Sequence, residues 1–408
     1  MLTFTGGQGV SAVGDGIYLV ALTWTALTLT HSSVYLGLLL TTSALPRAIL
    51  MLGGGVLVDR WGARRVILGS DLTRAILVGG LAALVALGHG SIALLFVIAG
   101  VFGVFDALFY PATMTLIPAL VEPGQLSAAN GVWQMAVQGS MLIGPPLGGV
   151  LVGVSGPAVA FAVDGASFLV AFGALMAIRV SAAAAAPTDA AAGAEATAAP
   201  TARQGPMAEL TAGLRAAYSD PFLRAVLPVS AVMNLAAGGP LNVGLPLLAR
   251  AHSWGPEGYG ALFAGIGAGV LIGGLAMSAG LRLPRLGVST MLSAVVIGVF
   301  MAGLGLTGAL AVAVVLCALI GALIASINVT LISMIQRRTE PRLLGRVSSV
   351  MMFSSMSLTP VSYALAGAIA HALGAGGLFV LGAVMVMLVA LVALGSKEIR
   401  SQSGALAT

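Results

Sequence analysis

Four aspartates stand inside long apolar runs of this chain: Asp15, Asp71, Asp106 and Asp164. Two arginines, Arg47 and Arg74, do the same. A carboxylate removed from water can pick up and release a proton, and a neighbouring guanidinium can hold it ionised. In lipid each such charge costs at least about 2.5–3.5 kcal/mol, so each asks for a partner or a function. All four acids fall in the first half of the sequence. Proton chemistry is therefore expected there. Asp71 and Arg74 are three residues apart, a spacing that pairs them on one helical face, and they read as a structural or gating pair near one end of their span. Asp164, followed by Ser167 and Phe168, reads as a helix-packing hydrogen-bonding group nearer the other end.

The elements that must position these charges are membrane helices. Of 408 residues, 59% are hydrophobic and 8% charged, against about 25% charged in soluble domains. Mean hydropathy is +1.06. So few charges cannot cover a soluble surface of this size, and the bilayer is the expected solvent. A spanning helix needs roughly 17–25 mainly apolar residues. Twelve runs qualify, at about 4–30, 34–58, 66–88, 91–119, 132–154, 157–179, 222–249, 258–280, 287–306, 309–334, 346–372 and 376–395. At about 1.5 Å per residue, Asp15, Arg47 and Asp106 lie roughly 16–20 Å from the inner ends of their spans, near the midplane. Residues 1–16 lack a basic stretch and are interrupted by Asp15, so the first run reads as a retained helix, not a cleaved leader.

The chain divides six plus six. Residues 1–180 form the first expected bundle. Residues 181–220 hold an Ala-, Thr- and Pro-rich linker (Ser181 to Pro206) and a short amphipathic surface helix from Met207. Residues 221–408 form the second bundle and a short tail. An ungapped offset of 218 aligns Gly103 with Gly321, Ala107 with Ala325, Glu122-Pro123 with Glu340-Pro341, and Leu126 with Leu344, which is the mark of a parallel repeat. Fifteen of the eighteen Lys and Arg residues fall on the N-terminal side of the membrane, so both termini are expected in the cytoplasm of a multi-pass cell-membrane protein. The net charge of +5 follows from these loops. No basic patch interleaved with aromatics points to nucleic acid. Gly265, Gly269 and Gly273 form a small-residue packing stripe, and Cys317 reads as a buried small hydrophobe.

Between the second and third runs stands Gly55-Val-Leu-Val-Asp59-Arg60-Trp-Gly62-Ala-Arg64-Arg65. Its glycines permit a tight turn. Asp59 can cap a helix or pair with a cation and so latch one conformation. The fifth run carries Gly131, then Gly144-Pro145-Pro-Leu-Gly148-Gly149, with Ser140 between them. The loop resembles the signature of the major facilitator superfamily, with a degenerate counterpart at Gly280-Leu-Arg282-Leu-Pro-Arg285. The fifth run is similar to the antiporter motif of proton-coupled exporters, with Ser140 in place of its middle glycine. Gly14-Asp15-Gly16, Leu45-Pro46-Arg47, Ser70-Asp71, Asp106-Ala107 and Asp164-Gly-Ala-Ser167-Phe168 extend the resemblance to the branch of siderophore exporters and macrolide efflux proteins. It implies an all-α membrane protein, a major facilitator fold of about twelve helices in two six-helix pseudo-repeat bundles. It also implies efflux by proton antiport at a midplane site between the halves. The arginine that many such exporters carry in the fourth span is missing, since no basic residue occurs between Arg74 and Arg179.

On that frame Asp15 and Asp106 are expected to face the central cavity, with Arg47 neutralising one of them. Asp164, Tyr18, Trp24, Asn234, Asn242 and Asn328 are further candidates for its wall, with Ser354, Ser355 and Tyr363. Asp71 and Arg74 join Gly55, Asp59, Arg60, Gly62, Arg64 and Arg65 as the gating set. Such a cavity suits a bulky, largely apolar small molecule with a few polar groups, exchanged for protons by a monomer in the bilayer. No cofactor and no metal cluster are expected. Catalysis is not: no nucleophile stands beside a base, and no G-x-x-x-x-G-K-[ST] loop is present. The alternatives are an importer or uniporter and, in another class, a non-transporting receptor or scaffold.

Overall fold

A computed structural model describes residues 1–50, 54–178, 218–279, 286–339 and 356–400, with positions 215, 347, 350, 351, 353 and 354. The expected linker at 181–206, most of the expected surface helix at 207–220, the degenerate loop at 280–285, Glu340-Pro341, Leu344 and Ser355 lie outside these residues.

The described residues form helices joined by short turns, with no strand among them. The first bundle contains α1 (Leu2–Thr30), α2 (Ser33–Leu50), α3 (Gly54–Trp61), α4 (Ala63–Ala86), α5 (Ile92–Ala119), α6 (Leu126–Ser155) and α7 (Pro157–Ala177). The second contains α8 (Pro221–Gly239), a π turn (Pro240–Gly244), α9 (Leu245–Ala251), α10 (Gly255–Ser278), α11 (Leu286–Leu306), α12 (Leu310–Arg338), α13 (Thr359–Gly395) and α14 (Lys397–Arg400). Helix starts follow local chemistry. The Ser91 side chain accepts from the Leu94 N–H and caps α5. Asp220 accepts from the Phe222 and Leu223 N–H groups at 2.7 and 3.1 Å, with Pro221 at the first position of α8.

Eleven of the described helices or helix pairs are long and apolar enough to cross a membrane. One of them is long enough to cross twice. At about 1.5 Å per residue, the 37 residues of α13 would span nearly twice the roughly 30 Å hydrocarbon core. Gly374 breaks it at φ 74°, ψ 174°. The run before this break packs on α2, where Gly367 meets Gly37, and the run after it packs on α11, where Gly376 meets Gly305. The described part of the run expected at 346–372 is thus set apart from the run expected at 376–395. Large apolar side chains such as Val154, Leu306 and Val392 project outward, as a lipid solvent requires.

The pseudo-repeat is visible in the packing. Gly103 of α5 lies against the Ser43 carbonyl of α2, and its aligned partner Gly321 of α12 lies against the Ile266 carbonyl of α10. The Gly265, Gly269, Gly273 stripe packs on successive turns of α12, at the carbonyls of Val314, Ala318 and Ala322. Only residues without a Cβ permit such close approach.

Candidate functional site

The first bundle encloses a polar cluster built from α1, α4 and α7. Arg74 is buried at its centre, 1% exposed, with Nη2 3.2 Å from Asp71 Oδ1 and Nη1 3.8 Å from Asp15 Oδ1. The Gln8 amide donates to Asp71 Oδ2 at 3.0 Å. The Arg74 guanidinium also lies 4.4 Å from the ring centroid of Phe168, 5.0 Å from Phe109 and 5.5 Å from Phe102. These faces offer a cation the stabilisation that water would otherwise supply. Asp15 is therefore paired with Arg74, not with Arg47. The expected Asp71–Arg74 pair is present and fully buried. Helix α4 begins at Ala63, three residues before its apolar run, because charged residues at the interface can occupy a first helical turn.

Arg47 pairs with Asp106, joining α2 to α5. The Arg47 side chain is 48% exposed, Asp106 20% and Asp15 39%. A charge this far along a spanning helix is costly against lipid, and these three side chains are partly exposed between the helices. Asp71 is fully buried behind them, as is Asp164. Asp164 packs beside Gly14 of α1, and the Ser167 hydroxyl donates to its backbone carbonyl at 2.8 Å. These contacts leave the Asp164 side chain fully buried inside the bundle. Tyr18 departs from expectation. It stacks on Phe102 at 4.5 Å and touches Phe161, inside the bundle core. Trp24 is half-buried against the same core.

In the second bundle Asn234 and Asn328 are exposed. Asn234 and Asn242 donate to carbonyls of their own helical segment, Ser230 and Gly238, both at 2.9 Å. Gln8, missed as a candidate, was open to detection. It precedes Asp15 by seven residues, two helical turns on one face of α1.

The loop motif divides by residue. Arg64 reaches back to the C-terminal end of α7 and donates to the carbonyls of Leu175, Met176 and Ile178 at 3.2, 3.4 and 3.1 Å. It satisfies carbonyls that the helix end leaves free. Replacing it with Ala should lower stability by about 1–2 kcal/mol. A thermal melt of the purified protein would register a fall of a few degrees with transport retained. Gly62 takes φ 84°, a conformation that favours glycine, at the turn between α3 and α4. Asp59, Arg60 and Arg65 are exposed and make no ion pair among the described residues.

Among the described residues the bundles meet at one end. The Ser33 hydroxyl donates to the Gly367 carbonyl and that of Thr41 to Pro360, both at 3.0 Å. Arg250 of α9 donates to the Leu27 carbonyl in the last turns of α1. The motif on α6 serves two faces. Gly144 and Gly148 press on α1 within the bundle, at Val13 and Ile17. Gly149, with the Pro145 carbonyl, presses across the boundary on Pro256 and Gly260 of α10. Glu257 stands against Gly153 at the same contact. Gly131 touches nothing within 4 Å.

The sequence model of the family described as Major Facilitator Superfamily matches residues 4–362. The chain is 26% identical over 399 residues to the multidrug efflux pump Tap of Mycobacterium tuberculosis, covering 96% of this chain and 92% of that protein. It is 26% identical over 389 residues to the enterobactin exporter EntS of Escherichia coli, covering 93% and 89%. Among solved structures, the nucleoside transporter NupG superposes with a TM-score of 0.74 at 11% identity, over 97% of this chain and 98% of that one. A bacterial homologue of the iron transporter ferroportin, in an inward-facing state, gives 0.68 at 15% identity, over 96% and 97%.

Proposed function

The chain belongs to the major facilitator superfamily, and from that premise we propose that it exports a small, largely apolar compound in exchange for protons. It is a multi-pass membrane transporter, and transport of this kind needs no catalytic residue. The observation that carries proton exchange is the position of Asp15. It faces open space, yet it is only the outer partner of a cation already held by Asp71. Arg74 and Asp71 balance each other. Asp15 can therefore take a proton without leaving a buried guanidinium unpaired, and can release it without leaving a carboxylate unattended. In this role Arg74, from the third span, replaces the missing arginine of the fourth. Arg47 and Asp106 form a second, self-balanced pair on the same space.

The closed end carries Ser33, Arg250 and Gly149; the end with Arg60, Arg64 and Arg65 is on the side that the distribution of cations assigns to the cytoplasm. On this reading both termini are cytoplasmic and the conformation is closed outward. The bundles at 1–180 and 221–408, joined through 181–220, rock about the midplane in a monomer. The names of the relatives, a multidrug pump and a siderophore exporter, favour a drug or siderophore as cargo. The test is a panel of such compounds added to everted vesicles with an acidified interior. A compound that is cargo should discharge the gradient within seconds. A panel in which labelled compounds equilibrate while none moves protons would replace antiport with facilitated diffusion.

A further inference from the structure

A cavity of about 370 Å³ opens between α3, α4 and α5, at the end of the first bundle remote from the contact between the halves. Its depth is mainly apolar, formed by Val66, Phe105 and Leu108, with the Ser70 hydroxyl turned to the Phe105 carbonyl. Its mouth carries Arg60, Arg65 and the exposed indole of Trp61. The neighbouring arginine is committed elsewhere, since Arg64 holds the end of α7. Arg60 and Arg65 have no hydrogen-bonding or ionic partner among the described residues, and Gly69 leaves the wall open, with nothing within 4 Å of where a Cβ would stand.

We propose that this cavity binds an anionic phospholipid, with its phosphate on Arg60 and Arg65 and the start of an acyl chain against Phe105 and Leu108. Two guanidiniums suit a phosphate, which accepts parallel hydrogen bonds from their planar forks. An apolar floor below them suits a chain and gives nothing to a free anion. Trp61 belongs at the same level, where an amphipathic ring sits between headgroups and hydrocarbon. Basic pockets between spanning helices are a recurrent setting for anionic headgroups.

Native mass spectrometry of the full-length protein in detergent tests this. The probes are phosphatidylglycerol, phosphatidylcholine with the same chains, and inorganic phosphate. Wild type should bind phosphatidylglycerol at least about tenfold more tightly than phosphatidylcholine, and the Arg60→Gln, Arg65→Gln double variant should lose about 30-fold of that affinity. A Cβ at Gly69 would meet nothing within 4 Å, so Gly69→Leu has room to extend into the cavity, and it should weaken phosphatidylglycerol while leaving the thermal melt near wild type. Millimolar phosphate should not displace the lipid. Equal binding of the two lipids, or affinity unchanged in both variants, overturns the proposal. Full displacement by phosphate would assign the mouth to a free anion and overturn the lipid as occupant.

Discussion

Asp15→Asn is expected to abolish uphill export while downhill equilibration of the same compound continues. The substitution keeps shape and removes the titrating oxygen. Arg74 still has Asp71 at 3.2 Å, so no buried charge is stranded and the bundle should fold. The expected loss is large because coupling requires the proton to be carried, and a group that cannot take one cannot be partly coupled. In everted vesicles, accumulation against a gradient should fall to the level of protein-free controls. Exchange of labelled for unlabelled compound should stay within about twofold of wild type, since exchange needs conformational cycling without net proton movement. Asp71→Asn provides the contrast. It leaves Arg74, 1% exposed, with its remaining carboxylate at 3.8 Å. Breaking a buried pair by removing one partner costs about 3–5 kcal/mol, so this variant should be lost at the level of folded protein. An Asp15→Asn protein that still concentrates the compound in response to a pH gradient would remove Asp15 from the coupling step. Vesicles in which Asp71→Asn is abundant and active would show that Arg74 relies on Asp15, and the assignment of the two acids would be reversed.

Much of this arrangement was open to reading in the sequence, and the limit has a physical form. Hydropathy gives the depth of a residue along its helix, so Asp15, Arg47 and Asp106 were expected near the midplane together. It gives no rotation about the helix axis. That is why Tyr18, a polar group at useful depth, was expected to face the cavity but is stacked on Phe102 inside the bundle. The partner of Asp15 was missed for a related reason. Arg74 reads from its spacing as the local partner of Asp71, which leaves its second contact unannounced. The Asp71–Arg74 pair was legible because its spacing of three is local. The Asp15–Arg74 pair joins α1 to α4, and nothing in either segment alone announces it. The repeat was legible from five aligned positions because Gly103 and Gly321 each meet a backbone carbonyl that excludes a side chain. Arg64, expected in the gating set, donates to carbonyls at the end of α7, a contact that no local pattern announces.

The glycines of α6 should separate into three behaviours, although they belong to one motif. Gly131→Leu should be nearly silent: nothing lies within 4 Å of it, and Leu favours a helix over Gly. Substitution at Gly144 or Gly148 should weaken the first bundle itself, because a Cβ there would lie 2.6 Å from the Val13 carbonyl or 2.8 Å from the Ile17 Cα. Gly149→Leu should leave the bundle folded and stop the cycle. Its neighbours, the Pro256 carbonyl at 2.5 Å and the Gly260 Cα at 3.2 Å, belong to the other bundle and can retreat only by parting the halves. Overpacking of this kind costs about 1–3 kcal/mol, which biases a two-state equilibrium about 5–150-fold against the form closed at this end. Export should fall more than about tenfold while the thermal melt stays near wild type. The conformational cause can be read from a cysteine placed at Thr41, whose hydroxyl bonds Pro360 across the same boundary, in a Cys317→Ala background. In the otherwise unchanged protein it should react slowly with a membrane-impermeant maleimide, and in Gly149→Leu rapidly. Rapid labelling with normal export would mean that closure at this end is dispensable for transport. Loss of export in both Gly131→Leu and Gly149→Leu would trace the defect to α6 itself, and the contact with α10 would lose its place in the cycle.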